Sequence, residues 1–262
     1  MKLIVCVKQV PNTTEIRIDP ATNTLIREGV ESILNPFDTY AIEEAVRLKE
    51  QHGGNVTALC MGPPQAEATL REAVSLGVDD IILLSDRRFA GADTWATSLT
   101  LAAAIRKIGE FDLIFTGQQA IDGDTAQVGP GIAAHLDIPQ TCFVRCIEVI
   151  TPCHVTLQRL LEDGYDRLRI KLPAVISVVK EINTPRLPSL RGKRNAKAVE
   201  LKVWNADDLG LDEKEIGLNG SPTQVVNIFT PQHDKLTQKF SGHPEEAVEI
   251  VVKTLHDLTK QG

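Results

Sequence analysis

Apolar runs alternate with amphipathic stretches along most of this chain. "LIVCVKQV" at residues 3–10 is short and strand-like. "DTYAIEEAVRLKEQHGG" at 38–54 has helical spacing, with Ala41, Ile42, Ala45, Val46 and Leu48 forming one apolar stripe. Asp38 is the expected N-cap of that helix and Gly53-Gly54 its stop, with Glu43 and Arg47 paired at i,i+4 on the wet face. The alternation repeats: "NVTALCMG" as strand, "PQAEATLREAVSLG" as helix, "DIILLS" as strand, "DTWATSLTLAAAIRKIG" as helix, "FDLIFTG" as strand, then a helix ending near Leu136. Strands separated by helices of this length predict an α/β fold, a mostly parallel sheet with helices on its faces.

The pattern changes after Pro139. "HVTLQRLLEDGYDRLRIKL" places an Asp163-Gly164 turn between two alternating runs, a hairpin signal. "AVISVV" is a short, wholly apolar strand. The sheet is therefore expected to gain antiparallel strands at one end. From Thr184 onward apolar residues thin out. "TPRLPSLRGKRNAK" is basic and contains proline, and "PEEAVEIVVKTLHDLTKQ" is one good helix with too few apolar neighbours for a core of its own. The expected organisation is an α/β domain over residues 1–184 and an extension or arm over 185–262, whose burial a partner subunit completes.

Composition narrows the function. At 262 residues and 42% hydrophobic the chain can bury a proper core, and a formal charge of −7 argues against whole-protein attraction to nucleic acid or an anionic membrane. No apolar run is long enough to span a bilayer. The N-terminal run lacks a small-residue cleavage site and reads as a first strand, so a cytoplasmic protein is expected. Five cysteines are spread along the chain; Cys142, Cys146 and Cys153 lack metal-site spacing and are expected as buried free thiols. The six histidines include no i,i+4 pair, so no metal site is expected.

The stretch "GQQAIDGDTAQVGPG" at 117–131 follows a predicted strand and leads into a helix. Ligands of open parallel sheets bind beyond the carboxyl ends of the strands. Gly117, Gly123 and Gly129 let the backbone turn tightly and approach a ligand. The amides from Thr125 to Gly129 lie where a helix begins and donors are orphaned, which suits a phosphate or pyrophosphate. Asp122 and Asp124 oppose an anion, and instead cap the helix, accept from ribose hydroxyls or bind the loop's own amides. The alternative is a loop that is simply polar and glycine-rich. Neither G-x-G-x-x-G after the first strand nor G-x-x-x-x-G-K-[ST] is present. "LCMGPPQAEATL" is a second Gly/Pro turn, placing Cys60 or Met61 for an adenine face beside Cys6 and Lys8, and "NPFDTYA" and "GADTWAT" begin helices on the same rim.

Together, "VCVKQVP" at 5–11, "NPFDTYAIEEAVRLKE" at 35–50, "CMGPPQAEATLREAVSLGVDD" at 60–80 and above all "GQQAIDGDTAQVGP" at 117–130 resemble the β subunit of electron-transferring flavoproteins, over nearly the whole chain. The resemblance implies a Rossmann-like, adenine-nucleotide-binding domain and a C-terminal arm wrapped on an α subunit. Some members hold AMP in the β subunit and one FAD in the α subunit; electron-bifurcating members hold a second FAD in place of the AMP. The Gly-Asp-Thr-Ala-Gln-Val-Gly-Pro run and "GADTWATS" at 91–98 are similar to the bifurcating type.

By motif match, Cys6, Cys60, Met61 and Gly62 line the adenosine pocket, and Asp122, Gly123, Thr125, Ala126, Gln127, Val128 and Gly129 form the pyrophosphate and ribose loop. Asp38 and Thr94 fall nearer the flavin ring, where Thr94 either donates to the ring or caps its helix. The basic stretch from Arg186 matches the family's docking loop, with Leu187 and Leu190 as apolar contacts. The resemblance implies FAD accepting hydride from NADH, with electrons divided between ferredoxin or flavodoxin and the α-subunit flavin. The latter supplies a flavin-dependent dehydrogenase of acyl-CoA, enoyl-CoA or 2-hydroxyacid (lactate) type. The alternatives are a non-bifurcating carrier with AMP in the same pocket and a nucleotide-sensing module that moves no electrons.

Overall fold

The computed structural model describes residues 1–12, 32–226, 239 and 243–259. Two units are distinguished, Met1–Val226 and Asn227–Gly262. In chain order the first contains β1 (Lys2–Val7), β2 (Gln9–Pro11), β3 (Ser32–Leu34), α1 (Pro36–His52), β4 (Asn55–Met61), α2 (Glu67–Ser75), β5 (Asp80–Leu84), α3 (Thr94–Ile108) and β6 (Leu113–Gly117). It continues with α4 (Val128–Leu136), β7 (Gln140–Ile150), β8 (His154–Leu161), β9 (Gly164–Lys171), β10 (Ala174–Val178), α5 (Leu190–Ala198), β11 (Leu201–Trp204) and α6 (Ala206–Leu209). The second unit's described helix is α7 (Pro244–Thr259).

The strands order as β11-β5-β4-β1-β6-β10-β7-β8-β9. From β11 to β7 neighbours are parallel; β8 and β9 add antiparallel strands at one edge. The mixed α/β sheet expected from the sequence is thus observed. Central strands are buried on both faces, which explains their nearly continuous apolar runs: β6 and β10 are buried at every position, Thr116 and Ser177 included. The edge strand β9 alternates exposed and half-buried residues. Its hairpin turns on Glu162 and Asp163, with Gly164 already paired to Leu161, one residue earlier than the Asp163-Gly164 turn expected.

Helices α1 and α2 cover one face and α3 and α4 the other, each over its own apolar cluster. The stripe Ala41, Ile42, Ala45, Val46 and Leu48 is buried as predicted. Full burial of each larger member contributes about 1.5–3 kcal/mol. Glu43 departs from expectation. Its side chain is only 5% exposed, because it faces Arg186 as well as Arg47. All five cysteines are free, but Cys142 and Cys146 are half-buried and Cys153 is exposed, so the expected burial of these three is corrected.

Residues 184–226 are more ordered than their composition suggested. Helix α5 packs on α2, and β11 pairs with β5 as the sheet's other edge. Arg71 of α2 donates to the carbonyls of Ala196 and Val199, 2.6 Å each, holding the α5 C-terminus.

The winding positions the site. β1 leads through α1 to β4, and β4 through α2 to β5, stepping one way; α3 then carries the chain back across to β6 on the other side of β1. The direction of winding switches between β1 and β6, the point at which open sheets of this kind carry a crevice beyond the carboxyl ends of their strands. There the backbone of β6 touches the start of α1. A Cβ on Gly117 would lie 2.4 Å from Asp38 Oδ1 and 2.7 Å from the Phe37 carbonyl carbon. Gly117→Ala is expected to destabilise the fold by about 1–3 kcal/mol through overpacking. A thermal melt unchanged from wild type would contradict the close approach.

Candidate functional site

The chain leaves the sheet at Lys8. Its N–H donates to Asp38 Oδ2 at 2.8 Å, and its carbonyl accepts from the Asn35 N–H at 2.9 Å. Asn35 is the N-cap residue of α1, with Pro36 in the first turn, and its side chain makes no capping bond. Asn35 Nδ2 donates to Asp38 Oδ1 and to the Gln119 carbonyl, 2.9 Å each, while its Oδ1 accepts from the Ile121 N–H at 3.3 Å. The exit of β1, the start of α1 and the loop after β6 are therefore tied through one amide and one carboxylate. Asp38 is not the N-cap predicted. It lies within the first turn, buried, and burial pushes its carboxyl up to about 7 against the hydrogen bonds from Asn35, Lys8 and Gly117.

The loop's own acids are engaged. Lys8 Nζ pairs with Asp122 Oδ1 at 2.6 Å, and Gln119 Nε2 donates to Asp124 Oδ1. The N–H groups of Gly123 and Asp124 both reach the Ala120 carbonyl. Left-handed backbone falls on Asp124 and Ala126, each at φ 55°, and not on Gly123. A Cβ at Gly123 would meet only Lys8 Nζ, at 4.0 Å, so the tight turn assigned to that glycine belongs to its neighbours.

Gln127 returns to right-handed backbone and begins α4. A left-handed residue followed by a right-handed one turns successive N–H groups into a common concavity suited to anions. Among the described residues nothing accepts from the amides of Thr125, Ala126, Gln127, Val128 and Gly129. Gly129 brings this helix start against β6, where a Cβ would meet Thr116 Oγ1 at 2.9 Å. Thr116 Oγ1 is itself buried without a partner.

The third wall is the start of α3. Asp93 caps it, accepting from the N–H groups of Trp95 and Ala96 at 3.0 and 3.1 Å. Thr94 is therefore not the cap, and its hydroxyl donates to Gln127 Oε1 at 3.2 Å. The other oxygen of Asp93 accepts from the N–H and hydroxyl of Thr223. Cys6, at the end of β1, and Met61, at the end of β4, belong to the α3–α4 side; Gly62 follows and donates to the Leu84 carbonyl. Cys60 belongs to the core under α1 and α2, fully buried, and burial pushes its thiol up to about 12. Burial pushes the Cys6 thiol up as well, so neither is a nucleophile near neutral pH. Leu187 lies on the connection from β10 to α5, and Leu190 is the first residue of α5.

Sequence reasoning missed Asn35, Gln119 and Thr116 and left Lys8 without a role. The Asn-Pro pair before α1 was the available signal, since Pro favours the first turn and so marks Asn35 as the cap position. Thr116 is one polar residue in an apolar strand and carried none.

The switch point of an open sheet, rimmed by three helix starts and, among the described residues, a row of amides without acceptors, defines a doubly wound, mostly parallel α/β protein. The family model "Electron transfer flavoprotein domain" matches residues 22–209. The chain is 51% identical over 257 residues to the electron transfer flavoprotein subunit beta of Thermoanaerobacterium thermosaccharolyticum, covering 98% of each chain. It is 49% identical over 232 residues to the caffeyl-CoA reductase-Etf complex subunit CarD of Acetobacterium woodii, covering 88% of each. It is 46% identical over 268 residues to protein FixA of Azotobacter vinelandii, covering 100% of this chain and 95% of that one. The chain belongs to the electron transfer flavoprotein family, on the β-subunit side. No described helix is long and apolar enough to cross a membrane.

Asp38 generates a pH prediction. Its folded-state pKa, about 7, lies above the roughly 3.9 of an unfolded aspartate, so its stabilising contribution is full below the lower value and lost as pH rises through the higher. In urea unfolding, wild type should lose stability relative to Asp38→Asn between about pH 4 and about pH 7, then level off. A gap independent of pH over that window would refute the assignment.

Proposed function

We propose that this β subunit holds FAD in the crevice between β1 and β6, within a complex that takes hydride from NADH and bifurcates its two electrons. One electron goes to ferredoxin or flavodoxin. The other goes to the FAD of the α subunit and on to a partner dehydrogenase. The observation that carries this reading is the row of amides from Thr125 to Gly129, without acceptors among the described residues, beside left-handed Ala126. A diphosphate fits those donors and the positive end of α4. Lys8 neutralises Asp122, which removes one of the two charges that would repel an anion there.

FAD, when bound, accepts the hydride and releases single electrons. The chain's own residues bind and orient it. Ala126, Gln127 and Val128 would offer it N–H donors and Gly123 would leave room, with Cys6, Met61 and Gly62 holding its adenosine part and Thr94 with Gln127 its ring. Asp38, at the root of the crevice, exchanges a proton near neutral pH at its carboxylate. The relative named as a subunit of a caffeyl-CoA reductase-Etf complex favours a partner that acts on a CoA thioester; a 2-hydroxyacid dehydrogenase is the other candidate. Leu187 and Leu190, each 88% exposed beside the basic residues of α5, fit docking to that dehydrogenase. Exposed Val248, Ile250, Val251, Val252 and Leu255 on α7 fit packing on the α subunit. Five free cysteines suit a reducing cytoplasm.

Denaturing the purified heterodimer and quantifying the released nucleotides tests the cofactor. Two FAD per heterodimer are expected; AMP with one flavin would replace this reading by the non-bifurcating carrier. A stable, colourless monomer of this chain alone would favour nucleotide sensing without electron transfer. Gly123→Val should lose most of the bound nucleotide while leaving the melting of nucleotide-free protein unchanged, because a side chain there meets open space in the fold. Full nucleotide content in that variant would place the ligand elsewhere.

A further inference from the structure

The segment bearing Leu187 and Leu190 is pinned on both sides. Before it, Arg186 lies along α1. Its Nε and backbone N–H donate to Glu43 Oε2 at 2.8 and 3.1 Å, and its Nη1 and Nη2 grip both oxygens of Glu50 at 2.6 and 2.9 Å. Arg47 donates to Glu43 from the other side and reaches the Thr184 carbonyl, while Asn183 Nδ2 donates to the Tyr40 carbonyl and to Glu44 Oε2. Burial alone would push the Glu43 carboxyl up; the bonds from Arg186 and then Arg47 outweigh it and hold the group ionised. At the segment's other end Ser189, between the two leucines, caps α5 by accepting from the Gly192 N–H at 2.9 Å. Gly192 is pressed so closely on α2 that a Cβ would lie 2.2 Å from the Ser75 carbonyl oxygen.

A solvated linker needs no such clamp. Ordering it loses conformational entropy, and Glu43 carries its charge into a site that leaves its side chain 5% exposed. Both costs serve a binding element, because a segment held in its bound geometry loses less entropy on association. We infer that Arg186 is a positioning residue, whose bidentate grip on Glu43 and Glu50 holds Leu187 and Leu190 preformed for a dehydrogenase with an apolar pocket and an acidic rim. Arg191, Lys193, Arg194 and Lys197 on α5 supply the complementary charge. This inference rests on the docking role proposed above. Arginine suits the position because its planar fork spans two carboxylates at once, which a lysine ammonium does not.

The test uses the heterodimer, reduced by an acyl-CoA dehydrogenase with its substrate and, in parallel, by a flavin-dependent lactate dehydrogenase. KM for the heterodimer and kcat are measured with whichever enzyme reduces the wild type. Arg186→Met should raise KM about tenfold with kcat and nucleotide content unchanged, Arg186→Lys should fall between, and trypsin should cut after Arg191 and Lys193 faster in both. Glu50→Gln removes one arm of the grip without leaving a buried charge unpaired, and it decides the matter if Arg186→Met does not fold. It too should raise KM, by about threefold. The paired Leu187→Ala and Leu190→Ala change separates the two claims. If it raises KM while the Arg186 and Glu50 variants do not, the positioning role is overturned and docking stands. If it leaves KM unchanged, or neither dehydrogenase reduces the wild type, the docking role itself is overturned.

Discussion

A buried carboxylate at the crevice root fixes everything above it. Asp38 accepts from Lys8 at the exit of β1, from the side chain of Asn35 and from the N–H of Gly117 at the end of β6. Its raised pKa means that desolvation outweighs these bonds. A single carbonyl oxygen would avoid that cost but could not receive donors arriving from a strand exit, a helix cap and a second strand end. Two oxygens on a short stem can. Gly117 has no Cβ where β6 comes this close, so acid and glycine form one constraint.

With its root fixed, the loop after β6 holds an unfavourable backbone. Asp124 and Ala126 sit in the left-handed region, at about 1–2 kcal/mol each for residues other than glycine. Among the described residues nothing accepts from the amides that follow, and Thr125 to Val128 are exposed or half-buried, so the free loop loses little by leaving those amides open. In the proposed reading, a diphosphate meets donors already aimed, without reorganising the protein. Strain of this kind persists only where the surroundings over-determine the conformation. Asn35 gripping Gln119 and Ile121, and Lys8 gripping Asp122, provide that here.

What the sequence disclosed follows from how local each cause is. The stripe on α1 and the mostly apolar runs of β6 and β10 encode their burial directly, so the order of elements and the sheet class were legible. The crevice was legible too, because Gly, Pro and Asp cluster at the turns that rim it. Choosing Asp38 over Asn35 as the cap went wrong because both are capping residues three positions apart, and only Pro36 between them tells them apart. The left-handed turn is carried by an aspartate and an alanine, which composition does not mark. Glu43 looked like half of a surface pair because Arg47 is four residues away, whereas Arg186, which buries it, is 143 residues away. β11 was missed for the same reason. "LKVW" is too short to show periodicity, and its strand character comes from pairing with β5.

Helix α1 joins these two regions mechanically. Its first turn carries Asp38 into the crevice, and its flank carries Glu43 and Glu50 to the exposed leucines through Arg186. Twelve residues of helix separate Asp38 from Glu50, about 18 Å along one uninterrupted helix. The crevice and the leucine-bearing segment are thus placed relative to each other by one regular element, and not by the loops that carry their chemistry. If the proposed cofactor and docking roles hold, that arrangement turns loop placement, ordinarily variable, into a property of the core. The charges on the flank of α1 are then understood less as surface solvation than as the attachment of a distant segment to a rigid frame.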